Sequence, residues 1–403
     1  MVKRIERIGK RGWTSMVAGL LTVLIAGCPG AVGDGGGGGG GGGGDDGGPV
    51  EDGNRDSSLT SPLGKTFGEP NDGFAEPVVA VLDAGDVARL QGTVSVEGDI
   101  DVYLIGSLDP GDRVIADLRA TDAVTPLDAT LALFDDDGRL VFDNDDRRST
   151  SPIDLDPYID WRARHAGASY KLIVSHSGLA ASDGFTGAYT ADVTIERGGI
   201  TPAPVAQSVL LDFSGGEVTV AGDGPMVLAP FDAGAISPIY DGQTDALKTK
   251  IRDVFVEKYA RFDVTVLTSD DPPPATGTTF TTVHFGGFND GAYGIADDVD
   301  LLNLNRCDDA VIFTETFFPQ QFASLPTVDG MGVAIGNVAA HECGHLLGLN
   351  HVNDDTDLMD AVSPPDALLL QQEFADSPLS EQIVPIGTQD SALLLFEAVG
   401  EAP

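Results

Sequence analysis

Between His341 and His351 the chain reads His-Glu-Cys-Gly-His-Leu-Leu-Gly-Leu-Asn-His, three imidazoles and one carboxylate inside eleven residues. His341 and His345 are four apart, so a helix projects both from one face toward a single metal ion. Glu342 falls about 100° round the same helix from His341 and about 60° from His345, flanking that ion without being consumed as a ligand. Gly348 can take the positive φ that ends a helix, which lets His351 swing back as a third nitrogen. Three protein ligands leave a fourth zinc position for water, whose pKa zinc lowers toward about 7. A carboxylate beside that water can take its proton and pass it to a leaving amine. The chemistry implied is metal-assisted hydrolysis of an amide. A bare His-Glu-x-x-His also occurs on helices with surface histidines. Here three of the chain's six histidines occupy the required places.

Eight residues after His351, Asp357-Leu358-Met359-Asp360 puts a methionine in a short polar turn. With that turn the segment resembles the metzincin metallopeptidases. The resemblance implies a zinc-dependent endopeptidase of α+β fold in which His341, His345 and His351 hold Zn2+, Glu342 is the catalytic base and Met359 packs beneath the histidines without binding metal. Astacin-like and serralysin-like members carry a tyrosine two residues after the turn methionine, where this chain has Ala361. Adamalysin-like members carry aspartate directly after the third histidine, where this chain has Val352. A matrixin-like or unassigned bacterial metzincin is the nearer comparison.

Upstream, 208–213, 262–267, 280–285 and 310–314 read as strands, and 244–260 as a helix with Leu247, Ile251, Val254 and Phe255 on one stripe. Residues 332–347 bring in the helix of the motif. After the turn, a helical stretch is expected from Pro364-Pro365 through Phe374, and a closing helix over 390–399. Residues 203–403 are therefore read as one catalytic domain.

The N-terminus speaks to location. Lys3, Arg4, Arg7, Lys10 and Arg11 precede an apolar stretch over 16–26 that is too short to span a bilayer. Ile25-Ala26-Gly27-Cys28 resembles a bacterial lipoprotein signal (1–27), which implies acylation of Cys28 and a membrane anchor. A plain secretory peptide cut nearby is the alternative, and either places the mature chain outside the cytoplasm. Residues 28–64, with an unbroken glycine run from Gly35 to Gly44, cannot bury apolar surface and read as a flexible tether.

Residues 65–198 alternate short apolar runs with Asp/Gly/Asn turns and carry no helical stretch, the pattern of an all-β sandwich. Glu69-Pro70-Asn71-Asp72, Gly98 to Tyr103, Leu127 to Asp135 and Gly187-Ala188-Tyr189 resemble the bacterial pre-peptidase C-terminal domains that accompany secreted proteases. By that resemblance Glu69, Asn71, Asp72, Asp99 and Asp101 are candidate Ca2+ ligands, against the plainer reading of acidic residues in solvated turns. Asp135-Asp136-Asp137-Gly138 reads as a hairpin turn. All candidate zinc ligands and the base lie after residue 340, so this accessory module is expected to fold alone and stand apart from the chemistry.

Net charge is −40, and loss of residues 1–27, themselves a net +4, makes it −44. So acidic a body excludes nucleic acid bound through its phosphates. With Cys28 acylated, Cys307 and Cys343 remain, either as a disulfide pinning the motif helix or as two free buried thiols. Cys343 lies about 200° round the helix from His341, away from the metal. Two other functions keep the same residues: a surface-anchored binding protein with a structural zinc, and an amidase of non-peptide amides. The expected partner is a protein or peptide substrate. Composition leaves cleavage preference and oligomeric state open.

Overall fold

The computed structural model describes residues 71–121, 126–148, 153–178, 180, 184–220, 224–272 and 277–403, with the backbone of 59–60 and 66–67. The expected signal 1–27, Cys28, nearly all of the tether and Glu69 lie outside the described residues. At the end of the expected tether, β1 (Leu59–Thr60) pairs antiparallel with β2 (Thr66–Phe67). No helix among the described residues is long and apolar enough to cross a membrane.

The first half is built of strands. One sheet runs in the order β3 (Val78–Val79), β5 (Asp101–Leu108), β10 (Gly167–His176), β7 (Ala129–Phe134) and β8 (Leu140–Asn144). A second runs β4 (Val87–Val94), β11 (Gly187–Glu196), β6 (Arg113–Ala120) and β9 (Tyr158–Arg162). The alternation read from sequence is the alternation seen: Tyr189, Ala191, Val193 and Ile195 of β11 face inward, where they join Val114, Ala116 and Leu118 of β6 and Leu131, Leu133, Leu172 and Val174 of the other sheet in one core. Between β7 and β8 the turn at 135–138 is the expected hairpin, with Gly138 at φ +79° and Asp135 accepting from the backbone N–H groups of Asp137 and Arg139.

The second half carries a five-stranded sheet in the order β15 (Val264–Thr268), β12 (Gln207–Asp212), β16 (Thr281–Phe285), β18 (Asp309–Ile312) and β17 (Gly294–Ala296). The first four are parallel; β17 closes the edge antiparallel. Around them lie a hairpin of β13 (Gly216–Val220) and β14 (Gly224–Leu228), helices α1 (Ala233–Ile236), α2 (Thr244–Tyr259) and α3 (Val328–Leu346), a short pair β19 (Asp376–Pro378) and β20 (Thr388–Asp390), and α4 (Ser391–Ala398). The α2 stripe is buried as its spacing requires. It packs on α3 where that helix has no side chains to hold it off: a Cβ on Gly336 would lie 2.8 Å from Val254 Cβ, and one on Gly332 would lie 2.6 Å from Lys250 Cγ. Thr327 caps α3, its hydroxyl accepting from Gly330 N at 3.1 Å.

One expectation is corrected, one open choice is decided, and two features have no counterpart in the sequence reading. The stretch from Pro364 to Phe374 is not a helix: one short turn at 367–369 gives way to extended chain, whose carbonyls at Leu368 and Leu370 accept from the Asn337 amide of α3. The β13–β14 hairpin has no counterpart in the sequence reading. Of the two states left open for Cys307 and Cys343, the bridge between them is not formed: Cys343 is a free thiol pointing from α3 into the core beside Tyr259, where burial pushes its pKa up. And the first half packs against the second. Ile100, Val102, Phe134, Leu140 and Ile173 on the outer face of its first sheet share a core with Leu379 and Val384. Arg139 at the hairpin reaches Asp376 at 2.8 Å, and His165 meets Glu397 of α4 at 2.7 Å.

Within the parallel sheet, His284 on β16 lies between two carboxylates, 3.3 Å from Asp212 and 3.1 Å from Asp309. Burial alone would lower its pKa, but hydrogen bonds to Asp212 and Asp309 outweigh it and raise it to about 9. Asp212 answers in the opposite direction: burial would raise it, and its bonds from His284 and Ser214 bring it to about 2. The imidazolium therefore stabilises the fold fully below about pH 6.5, and the contribution is lost as pH rises through about 9. The Asp212 contribution is present above about pH 4 and is lost as pH falls through about 2. Thermal melting of the full chain should fall between pH 6.5 and 9, and His284→Gln should flatten that limb; a variant that keeps the parent's slope there would contradict the assignment.

Candidate metal centre

The last two turns of α3 carry His341, Glu342 and His345, all buried. The helix then closes on itself, with Gly348 N donating to His345 O and Leu349 N to Gly344 O, each at 2.9 Å. Gly348 sits at φ +97°, and a Cβ there would lie 2.9 Å from Asp300 O, Leu301 Cα and Leu302 N. Conformation and space both demand glycine at that position. Beyond it the chain doubles back and brings the His351 ring to 5.3 Å from that of His341 and 4.8 Å from that of His345, centroid to centroid.

The ligand nitrogens of the three histidines lie within 4.8 Å of one another. His341 Nδ1 donates to Leu358 O at 2.7 Å and His345 Nδ1 donates to Leu349 O at 2.6 Å. A carbonyl cannot donate, so both Nδ1 atoms carry hydrogen, and in the neutral rings both Nε2 atoms present lone pairs. Those two atoms face each other at 3.1 Å. Two lone pairs so placed can both be directed at one cation. Tetrahedral geometry with Zn–N bonds near 2.0 Å puts two ligand nitrogens about 3.3 Å apart, so the pair fits zinc. The carbonyls fix ring orientation in the way that outer partners of zinc histidines do.

Met359 lies against the same helix turn: a Cβ on Gly344 would come 2.6 Å from its sulfur. The turn is tied to the residue after His351, with Val352 N donating to Met359 O at 2.9 Å and Ala361 N to Val352 O at 3.1 Å. Asp357 opens the turn by accepting from Met359 N at 2.9 Å; burial pushes its carboxyl up to about 6. Met359 therefore packs against the turn of α3 that carries His345. Glu342 lies against the edge strand, where a Cβ on Gly294 of β17 would fall 2.4 Å from its Oε1. Sequence reading missed Gly344, Gly294 and the two carbonyls. Gly344 lies inside the motif and invites a close-packing argument, but a carbonyl acceptor has no side-chain signature.

Of the candidate calcium residues, Asn71, Asp72, Asp99 and Asp101 lie among the described residues. Asn71 Nδ2 donates to Asp101 Oδ1 at 3.0 Å, and Tyr189 donates to Asp101 Oδ2 at 2.5 Å, in a buried network. Asp99 instead accepts from Ser95 N and Oγ, and Asp72 is exposed. Among the described residues, the histidine triad is the group of three or more His, Cys, Asp or Glu that converges on one point.

A family model described as matrixin matches residues 259–372, from the end of α2 through the triad and Met359. This match supports a zinc metallopeptidase, with a metzincin-like domain in that part of the chain. No curated protein matches. Among solved structures, archaemetzincin from Methanopyrus kandleri is 14% identical with a TM-score of 0.26 over 47% of this chain and 93% of its own. Metalloproteinase-II from Bacteroides fragilis is 12% identical with a TM-score of 0.25, covering 80% of this chain and 85% of its own. A periplasmic inhibitor of g-type lysozyme from Aeromonas hydrophila is 15% identical with a TM-score of 0.23, covering 30% of this chain and 96% of its own. TM-scores of that size carry no argument about this chain.

Proposed function

We propose that the chain is a zinc-dependent endopeptidase that hydrolyses protein or peptide substrates outside the cytoplasm. The observation that carries this reading is the pair of Nε2 atoms held 3.1 Å apart by carbonyls behind their rings, with a third imidazole alongside and a carboxylate on the same helix. His341, His345 and His351 would hold the zinc through imidazole nitrogens. Zinc, when bound, supplies a Lewis acid that polarises an amide carbonyl and acidifies water.

The remaining work falls to this chain's own groups. Glu342 is the base that takes the proton from water and delivers it to the departing amine nitrogen. Met359 and Gly344 keep the floor of the site apolar and tightly packed. β17 is the antiparallel edge of its sheet and its Gly294 backs onto Glu342, so an extended peptide adding to that edge would run past the carboxylate. The absence of a side chain at 294 lets backbone and carboxylate approach.

The domain division we favour is residues 203–403 for the peptidase and 65–198 for an accessory β-sandwich of pre-peptidase C-terminal type; separate apolar cores on either side of the boundary support it. Residues 1–27 are read as a lipoprotein signal with acylation at Cys28, and 28–64 as the tether. For this part of the reading the support is the residue pattern alone. Expressed in a Gram-negative host, the parent should partition into detergent while Cys28→Ser does not; an intact mass showing an unmodified mature N-terminus at another residue would reject the anchor.

Glu342→Gln should retain about one zinc per chain and the parent's melting behaviour while peptide hydrolysis drops by about 10²–10⁴-fold. Cleavage at the parent rate by the zinc-loaded variant would end the reading of Glu342 as the base.

A further inference from the structure

The residue before His351 is held from the other half of the molecule. Asn350 is buried, and its side-chain amide donates to Asp143 Oδ1 at 2.8 Å across 207 residues of sequence. Asp143 belongs to β8, paired with Ala132 of β7. The backbone of Asn350 is gripped at the same time by Gln389 of β20: Asn350 N donates to Gln389 Oε1 and Gln389 Nε2 donates to Asn350 O, both at 2.8 Å. One residue later, His351 O accepts from Ser380 N at 3.1 Å. The segment that returns His351 to α3 thus has no regular element of its own and is pinned by bonds from outside.

The clamp itself leans on the N-terminal sheet. Thr388 N donates to Gly138 O at 3.1 Å in the β7–β8 turn, and Gly387 lies so close to Phe134 of β7 that a Cβ would come within 2.4 Å of its ring. Leu302, from the loop that packs on Gly348, rests against the core between the two sheets. The bond to Asp143 fixes the direction of the Asn350 side-chain amide, and with it the chain that leads into His351.

We propose that Asp143 is a positioning residue for the metal centre, acting across the interface through Asn350 to hold His351 in place. This rests on the reading of His351 as a zinc ligand, and it departs from the sequence expectation that 65–198 stands apart from the chemistry. The N-terminal sheets are part of the scaffold of the centre. Their removal would release the loop that carries the third histidine.

The test uses the full-length chain and reads zinc affinity by competition with a chromophoric chelator, with thermal melting as the control for folding. Asp143→Ala should weaken zinc binding by about tenfold, the lower end of the range for groups that support a ligand from behind. Asp143→Asn should restore most of that loss, because its amide oxygen still accepts from Asn350. Asn350→Ala should weaken binding similarly, and the Asp143→Ala/Asn350→Ala pair should be no worse than the more affected single variant. A folded Asp143→Ala with the parent's affinity overturns the proposal, as do losses that simply add. If Asp143→Ala does not fold, parent-level affinity in Asn350→Ala overturns it equally. His345→Ala separates the two layers of the reading: if it binds zinc as the parent does, the metal centre itself is wrong and this proposal falls with it, whereas loss there with an unaffected Asp143→Ala sinks the proposal alone.

Discussion

The carbonyl oxygens of Leu358 and Leu349 decide which nitrogen of His341 and which of His345 faces the other. By occupying both Nδ1–H groups they turn the two Nε2 atoms toward each other at 3.1 Å, where both can serve one cation. Much else in the second half can be traced to delivering those two carbonyls. Leu349 O is in place because Gly348 turns the chain at once after α3. Leu358 O is in place because the Met359 turn is pinned to Val352 and packed on Gly344.

That dependence explains the packing around α3. A helix end that must present three side chains to one point cannot also drift, and it is fixed on several sides. α2 approaches closely across Gly332 and Gly336, the extended chain after Pro365 offers two carbonyls to Asn337, and Tyr259 of α2 donates to Ala340 O at 2.8 Å. Past the helix end, the loop that leads to His351 is held by Gln389 of β20 and, behind it, the N-terminal sheet. The apolar runs of β7 and β10 fit this: Ala132, Phe134 and Ile173 turn away from the inter-sheet core and meet Leu379 and Val384 instead. A continuous rather than alternating run is the mark of a strand covered on both faces.

Local chemistry made some of this legible in the chain. The helical spacing of His341 and His345, the turning glycine at 348 and the stripe on α2 are short-range patterns, and each lies where those patterns place it. The order of strand, helix and strands before α3 was readable for the same reason. The stretch after Pro364 misled because its apolar residues look helical locally, while its real partners are the Asn337 amide and the backbone near Leu358, some far away in sequence. For Cys343 the sequence left a bridge and a free thiol equally open, and the free thiol holds because the inward face of a core helix gives it an apolar home. The Asp143–Asn350 bond could not be read at all: an aspartate in an Asp/Asn-rich stretch carries no mark of the residue it will meet 207 positions later.

The central claim is that three imidazole nitrogens converge to hold one zinc ion, and X-ray absorption at the zinc edge of the purified full-length chain tests it most directly. Fine structure dominated by nitrogen or oxygen scatterers near 2.0–2.1 Å, with the outer-shell pattern of about three imidazoles, is the result expected. A sulfur scatterer near 2.3 Å, or a shell that is unchanged in His351→Ala, would contradict it.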